Sequence, residues 1–208
     1  MRLDRVRAVL LDMDGTLVDS DAAVERAWRT WAGEYGVPMD VLRPRMHGSP
    51  AETTVRAVLT GAPPEVLARA AQRQLELQYD DLTDVVATPG APELLAALDA
   101  RGLPWAVVTS ADRRLAAGRL GAAGIVAPLL ITVEDTPAGK PSPLPFLAGA
   151  RALGVEPSAC LVVEDSVPGV EAGRAAGAVV AALRGLDGDI RLRDLHELVT
   201  ELRAVPAN

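Results

Sequence analysis

Four short segments carry the residue types that could do chemistry. The run VLLDMDGTLVDS sets Asp12 and Asp14 two places apart, directly after an apolar tetrad from Ala8 to Leu11. A carboxylate at the end of a buried strand is costly unless something cationic meets it, or its pKa shifts until it is neutral. Further on, VVTS ends in Thr109 and Ser110, PAGKPSP holds Lys140, and VVEDS holds Glu164 and Asp165. Carboxylates with oxygen-only partners select a hard cation, and Mg²⁺ takes few protein ligands, several waters and a substrate phosphate. A calcium loop of the EF-hand kind needs Asp or Asn at its fifth place and Gly at its sixth, where Thr16 and Leu17 stand. Zinc is poorly served, since the histidines are His47 and His196 and the lone cysteine, Cys160, sits in an apolar run.

An ionised aspartate is a nucleophile near neutral pH without an activating base, and a phosphoaspartate splits one hard transfer into two easier ones. Asp12 suits that role, and Asp14 suits proton transfer to the departing alkoxide and then from water. The Ser110 hydroxyl and neighbouring backbone amides would hold the equatorial phosphate oxygens while Lys140 neutralises developing charge. Candidate phosphate contacts extend to Gly15, Thr16, Thr109 and Ala111. Arg113, which follows TSAD, joins them with a solvent-facing role as its alternative.

Lys140 stands out in another way. Lysine and arginine total 21, and every one except Lys140 is arginine. Base composition accounts for the arginines but not for the exception. A compact ammonium differs from a planar guanidinium wherever a point charge must touch single oxygens.

The elements that must position these residues are legible from periodicity. Val24, Ala27, Trp28, Trp31, Ala32 and Tyr35 recur at helical spacing, with Ser20 or Asp21 as N-cap and Gly36-Val-Pro38 as the stop. Helical patterns follow at 49–60 and 64–81, so residues 17–86 read as a helical insertion without strands. From Thr88 on, helix and strand alternate: helices at 91–100, 113–123, 143–153 and 167–176, and strands at 105–109, 128–132, 160–164 and 178–183. Short, continuously apolar strands joined through helices indicate a parallel sheet covered on both faces. With the first strand the count is five. In such sheets the working site lies beyond the carboxyl ends of the strands, where Asp12, Asp14, Thr109, Ser110, Glu164 and Asp165 fall, with Lys140 in the loop region after the third strand. The expected organisation is a Rossmann-like α/β core at 1–16 and 87–208 with a helical cap at 17–86.

The 208 residues suffice for one domain with an insertion. A formal charge of -7, a pI near 4.9 and a mean hydropathy of +0.17 describe an acidic globular chain with no basic footprint for nucleic acid or an anionic membrane. The expected partner is a small phosphorylated metabolite, bound by a monomer or homodimer. A single cysteine and an apolar segment broken at Asp12 favour a cytoplasmic protein.

The ordered set DMDGTLVDS, VVTS, GKPSP and VVEDSVPG resembles the four motifs of the haloacid dehalogenase superfamily, in its phosphatase branch with an α-helical cap after the first motif. The match spans residues 10–183. The resemblance implies Mg²⁺ dependence, Asp12 as nucleophile, Asp14 as acid and base, and Ser110 and Lys140 as phosphate binders. It further implies Asp12, the Asp14 carbonyl and Asp165 as metal ligands, assisted by Glu164 in the outer shell. An aspartate at position 14 favours phosphatase or mutase chemistry over dehalogenation, because halide departure needs no proton.

The segment MHGSPAETT resembles the cap piece of glycerol-3-phosphate and sugar-phosphate phosphatases, which implies that His47 meets the leaving group; its plainer role is to cap a helix. β-Phosphoglucomutases of this branch carry an arginine where this chain has Ala51, which disfavours a mutase, although Arg45 or Arg56 offer substitutes. The leading expectation is hydrolysis of a small sugar or polyol phosphate through a phosphoaspartate. A phosphosugar mutase and a receiver-like signalling module are the alternatives. The roughly 70-residue insertion (about 17–86) speaks against the module, since a receiver is usually the size of the core alone.

Overall fold

A computed structural model describes residues 3–204. Its centre is a parallel sheet built from β1 (Ala8–Leu11), β4 (Trp105–Val108), β5 (Leu130–Ile131), β6 (Cys160–Glu164), β7 (Val179–Ala182) and β8 (Ile190–Arg191), in the order β5-β4-β1-β6-β7-β8. β1 pairs with β4 on one side, Val9 opposite Trp105, and with β6 on the other, Val9 opposite Leu161. The chain runs outward from β1 to β4 and β5, then returns to β6 across β1. That reversal makes the carboxyl end of β1 the crevice where ligands bind in doubly wound sheets.

The apolar runs AVLL, WAVV and CLVVE are buried at every residue, and alternate side chains feed opposite faces. Val9, Leu11, Val107, Leu161 and Val163 pack with Leu94 and Leu98 of α5 (Ala91–Ala100) and Leu115 and Leu120 of α6 (Arg113–Ala122). Leu10, Ala106, Val108 and Val162 pack on the other face with Phe146 and Ala150 of α7 (Leu144–Ala152) and Val170 of α8 (Val167–Ala175). At about 25 cal/mol per Å², these two faces carry most of the stabilisation of the core.

Two features depart from the expected plan. The sheet has a sixth strand, β8, and it is followed by a helix, α9 (Leu195–Ala204), whose Leu195, Leu198, Val199 and Leu202 join the α5 side of the core. β8 is only two residues long, too short for a period-2 pattern to register. The insertion is also not free of strands. β2 (Val18–Asp19) and β3 (Val86–Ala87) form an antiparallel ribbon where the inserted segment leaves and rejoins the core.

Between them lie α1 (Asp21–Tyr35), α2 (Met39–Leu42), α3 (Ala51–Val58) and α4 (Pro64–Tyr79). They enclose a separate apolar cluster of Val24, Trp28, Trp31, Leu42, Val55, Leu67 and Ala70. Trp31 is fully buried, donates Nε1–H to the Ala70 carbonyl at 2.8 Å and stacks on Tyr35 at 4.6 Å between ring centroids. This satisfies the polar end of a large apolar ring. α1 ends at Gly36, whose left-handed conformation (φ 66°) lets its N–H reach the Ala32 carbonyl, as the sequence suggests. At the other end Ser20 occupies the N-cap position but makes no capping bond with its side chain. Its hydroxyl is used elsewhere.

Candidate active site

Asp12 directly follows β1, and its N–H continues the ladder by donating to the Val163 carbonyl at 3.0 Å. Asp12 therefore sits at the carboxyl end of a central strand, 5% exposed. The loop before α7 brings in Lys140 beneath it, with a side chain that is completely buried. The ammonium spends its three donors on three acceptors: Asp12 Oδ1 at 2.5 Å, Glu164 Oε1 at 2.6 Å and the Val108 carbonyl at 2.9 Å. Its Nζ also lies 5.0 Å from the centre of the Phe146 ring. A tetrahedral ammonium can meet three oxygens that come from the ends of β1, β4 and β6; a planar fork cannot. The exceptional lysine has a geometric reason.

Glu164 closes β6 and anchors the next helix. Its Oε2 accepts from the backbone N–H of Asp165 at 2.9 Å and of Ser166 at 3.0 Å, and from the Ser166 hydroxyl at 2.9 Å. An anion at a helix N-terminus is favoured by the unsatisfied amides and the dipole there. Gly169 makes the fit possible, because a Cβ on it would fall 1.8 Å from Glu164 Oε1. Asp165 accepts from Arg184 Nε at 2.9 Å, and Arg184 also pairs with Asp21 at the start of α1 at 2.8 Å. Gly15 (φ 85°) leaves room for that carboxylate, since a Cβ there would fall 2.0 Å from Asp165 Oδ2.

One oxygen each from Asp12, Glu164 and Asp165 lies within 4.8 Å of the others, and all three residues are buried. Three buried carboxylates crowd around a single buried ammonium. Burial first, and then the charge of Glu164, hold the Asp12 carboxyl well above the usual carboxylate range, with Lys140 pulling the other way. The same two causes push Asp165 up to about 7, offset by Arg184. Burial lowers the Lys140 pKa, but Asp12 and Glu164 together outweigh it and keep the ammonium charged. The carboxylates exceed the buried positive charge, so the donor set suits a small divalent cation among oxygen ligands.

Above Asp12 is a cavity of about 60 Å³ lined by Asp12, Asp14, His47, Thr109, Ser110, Ala111 and, from the inserted helices, Trp28, Gln74 and Gln78. Asp14 accepts from the Ser20 hydroxyl at 2.7 Å and from Arg119 Nη1 at 2.7 Å. The Ser110 hydroxyl donates to the Gly48 carbonyl at 3.0 Å, so the HG segment of the insertion touches the end of β4. His47 lines the cavity with its Nδ1 3.9 Å from Asp21 Oδ1, and burial lowers its pKa against the pull of Asp21. Burial therefore favours the neutral imidazole.

Several sequence-derived positions fall elsewhere. Gly15 and Thr16 do not line the cavity, and their N–H groups are spent within the turn, on the Val18 and Met13 carbonyls. The Thr16 side chain is fully buried. The Ala111 N–H is likewise taken, donating to Thr109 Oγ1 at 3.1 Å. Arg113 points away, pairing with Asp135 at 2.8 Å, because the first residue of α6 lies on the exposed side of that helix. The oxygens of Glu164 already carry Lys140 and the start of α8, which suits an anchoring role better than ligation. Arg45 donates to the Val41 carbonyl and Arg56 to Glu52 Oε1, both in exposed positions.

Sequence reasoning missed Arg119, Ser20, Gln74, Gln78 and Arg184. A signal for Arg119 existed, since it stands four residues after Leu115 on the apolar side of α6, where a charged side chain needs a partner.

Known proteins share the sequence family and the fold. Residues 6–177 match the family model described as haloacid dehalogenase-like hydrolase. The chain belongs to that family. Hexitol phosphatase A of Escherichia coli K12 is 37% identical over 97% of this chain and 94% of its own length. Validoxylamine A 7'-phosphate phosphatase of Streptomyces hygroscopicus subsp. limoneus is 34% identical over 92% and 95%. Among solved structures, a hydrolase from Pseudomonas syringae superposes with a TM-score of 0.86 at 27% identity, covering 95% of this chain and 98% of that one. Among the described residues no helix is long and apolar enough to cross a membrane.

Proposed function

We propose that this protein is a Mg²⁺-dependent phosphomonoesterase that hydrolyses a small sugar or polyol phosphate through a phosphoaspartate on Asp12. The observation that carries the reading is the buried trio of Asp12, Glu164 and Asp165 around Lys140 at the carboxyl end of β1, under a cavity walled by the inserted helices. Two relatives, a hexitol phosphatase and a validoxylamine A 7'-phosphate phosphatase, support a small phosphorylated substrate.

Lys140 holds Asp12 Oδ1, which leaves Oδ2 to attack phosphorus. As the P–O bond to the leaving group breaks, the alkoxide takes a proton from the Asp14 carboxyl. In the second half, Asp14 as carboxylate removes a proton from water, the hydroxide oxygen bonds to phosphorus, and the bond to Asp12 breaks to release phosphate. The bonds from Ser20 and Arg119 aim Asp14 at the cavity and suit the carboxylate form that it takes in the second half. Ser110 is placed to hold a phosphate oxygen once its hydroxyl leaves the Gly48 carbonyl. Asp12 and Asp165, with the Asp14 carbonyl, would hold the metal. When bound, Mg²⁺ supplies charge neutralisation to nucleophile and phosphoryl oxygens alike. The inserted helices act as a lid that keeps bulk water from the aspartyl phosphate.

Phosphate release from a panel of phosphosugars and alditol phosphates, with Mg²⁺ and with EDTA, tests the proposal. Turnover of at least one member with Mg²⁺ and none with EDTA is expected. No turnover of any member defeats it. Isomerisation of a hexose phosphate primed by a bisphosphate indicates a mutase instead, and a long-lived aspartyl phosphate without turnover a signalling module.

A further inference from the structure

The cavity has a polar wall that the four motifs leave unused. Gln74 and Gln78 lie one turn apart on α4, Arg119 faces them from α6, and all three are buried lining residues. Their bonds run in one direction. Arg119 Nη1 donates to Asp14 Oδ2 at 2.7 Å, Arg119 Nη2 to Gln78 Oε1 at 2.6 Å, and Gln78 Nε2 to Gln74 Oε1 at 2.6 Å. A guanidinium has donors only, so it obliges the first amide to turn its oxygen inward, and that amide obliges the second to do the same. The relay ends on the Gln74 Nε2 group, which is buried without a hydrogen-bond partner, as is Arg119 Nε.

Buried polar atoms are normally paired, and these two donors, closed off just behind the cavity wall, reach an acceptor in the cavity once the wall side chains shift slightly outward. Arg119 is already engaged by Asp14 and Gln78 through Nη1 and Nη2, so its guanidinium is not free to grip a second phosphate. A second phosphate would need uncompensated cations; a neutral hydroxyl oxygen would not. We infer that Gln74 Nε2, together with Arg119 Nε, receives hydroxyl oxygens of the leaving group and makes this wall the determinant of specificity for a neutral polyhydroxylated chain. Gln78 is the positioning residue that orients Gln74, and Arg119 both fixes Gln78 and offers its own Nε.

The inference rests on the phosphomonoesterase reading. The cavity of about 60 Å³ has space for roughly four to six waters, enough for the first hydroxyls of such a chain. A longer chain continues into the adjoining cleft of about 860 Å³, which shares Ala51, Leu75 and Ser110.

The test compares kcat/KM for a hexitol 6-phosphate and for hexyl phosphate, of equal chain length but without hydroxyls, in the presence of Mg²⁺. The wild type is expected to prefer the hexitol ester at least about tenfold. Gln74→Leu, and Gln74→Met as a second variant should the first not fold, are expected to reduce that preference about 10- to 100-fold, mainly through KM of the hexitol ester. Gln78→Glu keeps the acceptor for Arg119 but cannot donate to Gln74, so the Gln74 amide turns its oxygen to the cavity and the preference falls as well. A wild-type preference under about threefold, or one unchanged in the Gln74 variants, overturns the assignment of Gln74. An unchanged preference in Gln78→Glu overturns the relay. Release from neither ester nor from any member of the phosphosugar and alditol phosphate panel defeats the phosphomonoesterase reading itself, whereas release from other members but not the hexitol ester, or equal release from both esters, defeats only the specificity wall.

Discussion

Replacing Lys140 by methionine keeps an unbranched stem in a fully buried slot and removes one positive charge. The substitution strips Asp12 Oδ1 and Glu164 Oε1 of their shared partner and removes the bond that the Val108 carbonyl accepts from Lys140. The two carboxylates are 8% and 0% exposed, so water does little to replace the ammonium. Removing one member of such a buried charge set costs about 3–5 kcal/mol, a large part of the roughly 5–15 kcal/mol that holds a domain folded. The pH dependence gives the sharper test. The Lys140 pKa is raised, so its contribution is complete throughout the range below the ordinary lysine value and does not change between pH 5 and 8. In the variant, Asp12, already raised by burial and by Glu164, is driven higher still. A carboxyl whose folded pKa is raised binds more protons folded than unfolded, so the variant recovers stability as pH falls. Urea unfolding of both proteins in EDTA at pH 8 and pH 5 measures this. The expected gap is about 3–5 kcal/mol at pH 8 and clearly smaller at pH 5. A gap below about 1 kcal/mol at pH 8, or one that widens in acid, refutes the claim that Lys140 balances buried carboxylates.

Lys140→Arg, which keeps the charge, should cost about 1–3 kcal/mol through crowding against Phe146 and β4 and lower kcat at least about tenfold; full activity in that variant removes the chemical reason for the single lysine. Asp12→Asn is expected to retain the fold by circular dichroism and to lose at least about 10³-fold in kcat, with measurable turnover near the wild-type rate as the contrary result. Gly169→Ala places a methyl on Glu164 and forces that carboxylate off the start of α8; a loss of about 2 kcal/mol or more in chemical denaturation is expected, and a neutral outcome contradicts the packing described. For Asp165, raised to about 7 from an ordinary 3.8, the metal-free fold binds the extra proton between those values, so this group's contribution declines as pH rises from about 4 to 7, by at most about 4 kcal/mol. In EDTA, Asp165→Asn should therefore gain on the wild type as pH rises through that window, and a gap moving the other way refutes the assignment.

Local patterns carried most of the architecture. The buried strands are short, continuous apolar runs bounded by turn signals, and their alternation with helices made the parallel core and the inserted helical segment readable before any contact was known. The chemistry of the edge was equally legible, because Asp12, Ser110, Lys140, Glu164 and Asp165 sit within one or two residues of strand ends or in a loop between them. β8, the β2–β3 ribbon and α9 escaped notice: two-residue strands have no period, and α9 acquires its meaning only from the α5 surface it covers.

Direction and partnership were decided by the tertiary structure alone. Arg113 and Arg119 share a helix and a residue type, yet one pairs with Asp135 in solvent and the other reaches Asp14 across 105 positions of chain. Thr16 stands next to the acidic motif and turns inward, whereas Gln74 and Gln78, distant from every motif, line the cavity. A residue's type and spacing state which bonds it is able to make. Which bonds it does make depends on the groups that folding carries to within about 3 Å, and side-chain hydrogen bonds and buried ion pairs between distant segments leave no periodic trace along the chain.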